Sequence, residues 1–172
     1  MVANIRSGSL PGGALYYNKE KVDRDDAEIL YWQKMLEPFD RYGRMDVDAC
    51  MESFRPYLEA NRRTTNTVFH VSLNPSPEDR LTDDQLRDIA QEYMERMGYG
   101  NQPYIVFRHK DIDRQHLHIV SLRVDEKGRK LPHDFEARRS AEITRDLEHK
   151  YNLHPAVKGQ EQRDTPDLRK VN

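Results

Sequence analysis

The sequence predicts an α+β fold, an antiparallel sheet with helices packed mainly on one of its faces, arranged as a two-layer sandwich. Three observations carry this. TNTVFHVSLNPS alternates in polarity as a strand with one buried face does. PYIVFRH and HLHIVSLRV are short, largely apolar runs joined by six mostly polar residues, KDIDRQ, and read as a hairpin. The stretches between and after these strands repeat their apolar residues at helical spacing. With 172 residues the chain can bury one core and is too short to assume two.

The elements follow in order. SGSLPGG reads as a mobile loop, and ALYYNKEKV after it as a short strand or helix, so few core residues are expected before position 25. Ala27, Leu30, Tyr31 and Met35 suggest a helix from Asp25 to Leu36, ended by Pro38. A second helix covers Val47 to Ala60, with Pro56 expected to kink or interrupt it. In the strand that follows, Thr67, Phe69, Val71 and Leu73 share one face, and Val68, His70 and Ser72 the other. The next helix is bounded by a Thr82/Gln85 capping box and by Gly98, with Leu86, Ile89, Ala90, Tyr93 and Met97 as its apolar stripe. Strands at 103–109 and 116–124 come next, then the charged turn DEKGRK and a helix from Ala137 to Tyr151 through Ile143 and Leu147. The domain is expected to span residues 1–157. From Lys158 the chain has little to bury, and 158–172 is expected to be a charged linker or disordered tail, truncated from a longer protein.

Composition excludes more than it selects. A net charge of -2 provides no global attraction for nucleic acid, so any such contact must come from local patches. One cysteine, Cys50, excludes an internal disulfide and a cysteine-based zinc cluster. No apolar run approaches the roughly 18 residues of a membrane span, and the N-terminus lacks a signal-peptide layout, so a cytoplasmic protein with no membrane partner is expected.

The chemistry concentrates in HKDIDRQHLHIVSL, residues 109–122. On a strand, His116 and His118 project from one face about 7 Å apart, and a hairpin brings His109 to them. Three neutral imidazoles with open positions suit a catalytic divalent ion. An all-nitrogen set favours Mn²⁺, Zn²⁺, Co²⁺ or Ni²⁺ by affinity over a dedicated Mg²⁺ cage. Asp111 could fix the tautomer of a ligand histidine or serve as a base, and His70 could act as a base or contact DNA, although a structural histidine is as good a reading. His133, His149 and His154 lack such company.

The pattern His109-x-Asp111-x₄-His116-x-His118 resembles the metal motif of relaxases, the mobilization nucleases of the HUH type. GGALYYNKEKV is similar to their nucleophile segment, and VFHVSLNPS to their middle strand, so the resemblance spans about residues 5 to 155. It implies an HUH-endonuclease-like sandwich that nicks one strand of single-stranded DNA at an origin of transfer. It further implies a tyrosine attack that leaves a 5′-phosphotyrosine, with Mn²⁺ or Mg²⁺ as the working ion, and starts mobilization of a plasmid or transposon. Accessory mobilization proteins and a coupling protein are the implied partners. Tyr17 is preferred over Tyr16 as nucleophile because the Tyr-Asn-x-x-Lys context is the part that looks like the family. Lys19 and Lys21 beside it, Arg62 with Arg63, and Lys127 with Arg129 are the candidate DNA contacts, although such clusters are most often solvated surface. Two alternatives stay open: a metal-dependent phosphodiesterase that activates water, and a single-stranded DNA-binding module without activity.

Overall fold

A computed structural model describes residues 1–111 and 113–156; the expected tail at 158–172 lies outside them. Along the chain run β1 (Val2–Gly8), α1 (Gly12–Asp23), β2 (Ala27–Gln33), α2 (Val47–Ala60), β3 (Val68–Asn74), α3 (Asp83–Met97), β4 (Tyr104–His109), β5 (His116–Leu122) and α4 (Glu136–Lys150). The strands form one antiparallel sheet in the order β1-β3-β5-β4-β2, which bears out the α+β reading.

The helices divide between the two faces, where most had been expected on one. Leu86, Ile89, Tyr93 and Met97 of α3, with Ile143 and Leu147 of α4, pack on Phe69, Val71, Val106 and Ile119. Leu15 of α1, with Cys50 and Phe54 of α2, packs on Val68, Ile105, Phe107 and Val120 from the opposite side. The reason lies in β4 and β5: YIVFRH and HLHIVSL put apolar residues on both faces, Val106 and Ile119 on one and Ile105, Phe107 and Val120 on the other, and strands of that kind need cover on both.

Two local expectations are corrected. The segment expected as a helix from Asp25 to Leu36 contains strand β2, paired along β4 with a register shift between Ile29 and Tyr31. That bulge turns both Leu30 and Tyr31 toward the α3/α4 core while Ile29 and Trp32 face the α1/α2 core, so the doubled apolar positions imitate helical spacing. Few core residues were expected before position 25 and no element before the SGSLPGG loop; Val2–Gly8 is instead the edge strand β1, with Met1 and Val2 buried and Ile5 packed on the core. Its alternation was too short to register beside the glycines. Helix α2 runs through Pro56, which sits on its exposed side, where water can serve the carbonyl that proline leaves unbonded. Helix α3 has its capping box and a left-handed Gly98 at its end, as expected.

Candidate metal centre

Antiparallel pairing fixes the histidines. His109 of β4 lies opposite His116 of β5, and His118 lies between Phe107 and Ser72 on its two neighbours. Paired residues share a face, so the three rings continue the α1/α2 face beyond its apolar part. Rings of His109 and His118 are 4.0 Å apart between centroids, and one nitrogen from each of the three histidines lies within 4.8 Å of the others.

All three side chains are buried, at 0–1% exposure, and each has one nitrogen bonded and one orphaned. His109 Nε2 sits 2.7 Å from Asn18 Oδ1, His116 Nε2 sits 3.2 Å from Asp111 Oδ1, and His118 Nδ1 sits 3.0 Å from His70 Nε2. Asn18 Oδ1 and the Asp111 carboxylate can only accept, so His109 and His116 donate from Nε2 and keep a lone pair on Nδ1. If His118 likewise donates from Nδ1 to His70, its Nε2 keeps a lone pair. The nitrogens left over, His109 Nδ1, His116 Nδ1 and His118 Nε2, are the ones without a partner among the described residues. Three orphaned lone pairs in one buried cluster fit a divalent cation, which satisfies them at once.

Electrostatics agree with neutral ligands. Burial pulls the pKa of His109 down to about 3, helped by His116, and that of His70 down to about 4, helped by Arg6. Burial also lowers His116, against the pull of Asp111, and holds His118 well below the usual range.

Helix α1 brings three further side chains to the cluster. Tyr17, Asn18 and Lys21 fall on its sheet-facing side, with Tyr17 and Asn18 buried. The Tyr17 ring lies 5.8 Å from His109 and 5.6 Å from His118, whereas Tyr16 is 58% exposed. Burial raises the Tyr17 pKa, against the Lys21 ammonium 5.9 Å from its ring. Lys21 Nζ is 2.6 Å from Asp111 Oδ2, so Asp111 joins Lys21 to His116. Burial alone would push the Asp111 carboxyl up, but hydrogen bonds from Lys21 and His116 outweigh it and hold the group below its usual range.

The remaining candidates are distributed unevenly. His70 and Asp111 are both at the cluster, each hydrogen-bonded to one of its histidines; for Asp111 this is the geometry expected of a tautomer-fixing partner, a role that had not been expected of His70. Lys19 turns away to Asp23 and the Met45 carbonyl. Arg62, Arg63, Lys127 and Arg129 are exposed and brought together, because Asn61 Nδ2 donates to the Gly128 carbonyl across the two loops that carry them. They stand at the far end of β5, roughly 20 Å from His118 at about 3.3 Å per residue, and do not line the histidine cluster. Asn18 was given no role from sequence; its signal was the Tyr-Asn-x-x-Lys stretch, which on a helix puts positions 17, 18 and 21 on one side.

A family model, the MobA/VirD2-like nuclease domain of relaxases, matches residues 17–153, from the buried tyrosine through α4. The chain belongs to the relaxase family. No curated protein matches it. Relaxase nuclease domains nick DNA at a transfer origin and act on single-stranded DNA there, and the buried three-histidine cluster of this relaxase domain fits the metal site of an HUH-type enzyme. No helix among its described residues is long and apolar enough to cross a membrane.

Proposed function

We propose that this relaxase domain cleaves one DNA strand by transesterification, with Tyr17 as nucleophile and His109, His116 and His118 as ligands of a divalent ion, Mn²⁺ or Mg²⁺ in function. The observation that carries this reading is the placement of one tyrosine ring against two histidines, tilted to His109 and edge-on to His118, whose free nitrogens have no partner among the described residues. When bound, the ion supplies positive charge to the non-bridging oxygens of the scissile phosphate.

The residues of the chain do the rest. Tyr17 Oη attacks phosphorus, its bond to phosphorus forming as the bond to the 3′-oxygen breaks. The phenolic proton passes to solvent and the 3′-oxygen takes one up, leaving a 5′-phosphotyrosine and a 3′-hydroxyl. Because burial disfavours the Tyr17 phenolate, Lys21 is the group placed to compensate, one helical turn away on the same side of α1. Asn18, Asp111 and His70 keep each ligand histidine in the tautomer that presents a lone pair. The setting we infer is the cytoplasm of a cell carrying a mobilizable plasmid or transposon, with accessory mobilization proteins and a coupling protein as partners.

The test is incubation with Mn²⁺ and end-labelled single strands tiled from the DNA flanking the gene, followed by denaturing gels. A labelled, protein-sized adduct is expected from wild type and Tyr16→Phe, and none from Tyr17→Phe or with chelator. Cleavage without adduct would overturn the tyrosine mechanism in favour of activated water.

A further inference from the structure

Arg6 is a charge that the fold leaves unanswered. It lies on β1 directly opposite His70, so its side chain leaves the sheet on the same face as the histidine cluster. It is only partly exposed, its Nε is buried without a partner, and it makes no ion pair among the described residues. Two positions away on that face Asn4 repeats the pattern, with a buried Nδ2 that finds no acceptor. A guanidinium stays protonated at any working pH, and holding one half out of water with no anion is costly. Other arginines that leave solvent here do so with partners: Arg123 pairs with Glu136, and Arg108 with Glu28 and Asp83. Arg6 is therefore placed for an anion that arrives from outside the fold.

We propose that Arg6, with Asn4 beside it, receives the backbone phosphate next to the scissile one and so sets the register of the single strand over the histidines. This rests on the transesterification reading. Across the sheet Arg6 stands in a row with His70 and Val120, and Asn4 in the next same-face row with Ser72 and His118, two strand spacings or about 10 Å from β1 to β5. That gap suits a neighbouring phosphate on an extended strand better than the phosphate under attack. Asn4 follows about 7 Å along β1 and adds a neutral donor on the same track.

The experiment measures binding of a fluorescent single-stranded oligonucleotide to wild type, Arg6→Gln and Arg6→Lys, in chelator, across a range of NaCl. Each phosphate neutralised on a single strand contributes about 0.7 to the slope of log K against log salt. Arg6→Gln is expected to flatten the slope by about 0.7 and weaken binding several-fold, with an unchanged or higher Tm. Arg6→Lys is expected to keep the slope, and both variants to bind Mn²⁺ as wild type does. An unchanged slope in Arg6→Gln, or a lowered Tm with wild-type binding, makes the residue structural and overturns the assignment. Wild type that binds but forms no adduct defeats the tyrosine mechanism while the slope comparison still stands; wild type that binds no single strand defeats both.

Discussion

Replacing Asn18 by alanine tests whether the tautomers are set by the residues behind the ligands. Asn18 is fully buried, accepts from His109 Nε2 at 2.7 Å and donates to the Ala14 carbonyl at 2.8 Å. Alanine removes the acceptor, so the buried His109 N–H is left without a partner, and the tautomer that places the proton on Nδ1 becomes competitive. Loss of such an outer partner typically weakens metal binding about 10- to 100-fold. The unpaired buried group costs a further 1–3 kcal/mol, roughly, in stability without metal. Mn²⁺ at 100 times the wild-type Kd stabilises wild type by about 2.7 kcal/mol. The same concentration gives the variant only about 0.4–1.4 kcal/mol by that relation. Calorimetric titration gives Kd directly, and urea unfolding with and without Mn²⁺ gives the stabilisation. Asn18→Asp, which keeps an acceptor oxygen, should retain most of the affinity. Wild-type Kd in Asn18→Ala, within twofold, would refute the tautomer argument.

Two further outcomes follow from the same geometry. His70 and His109 bind fewer protons folded, with pKa values of about 4 and 3, than unfolded near 6.5, so stability rises with pH across that window. Metal-free protein should therefore lose stability as pH falls below 6.5, by up to about 1.4 kcal/mol per pH unit for each such histidine. His154, raised by Asp79, works in the opposite sense. Urea midpoints from neutral to mildly acid pH check the sign, and a flat profile would contradict it. Gly128 has φ +81, and a Cβ there would collide with the Ala60 carbonyl oxygen, so Gly128→Ala should cost more than about 1 kcal/mol. Because the turn is at the far end of β5, Mn²⁺ affinity should stay at the wild-type value; a neutral ΔΔG would show that the contact with α2 is not maintained in solution.

The sequence by itself determined the elements whose signals are local. A strand alternates within a few residues, α3 carries its own cap and stop, and His116-x-His118 puts two rings on one face whatever the rest of the chain does. His109 could be added because a six-residue loop leaves a hairpin little choice. Tertiary structure decided what depends on distant partners. Whether 25–36 is helix or strand was settled by pairing with β4 across a bulge, and β1 became a strand because β3 offers it an edge. Asn18 gained its role only when α1 was laid over His109, 91 residues away in sequence. The same packing buried Tyr17 and exposed Tyr16, a distinction neighbouring identical residues cannot carry alone. The basic clusters show the converse: charge is legible from composition, but only the strand that separates them from the histidines shows that they lie at the other end of the sheet.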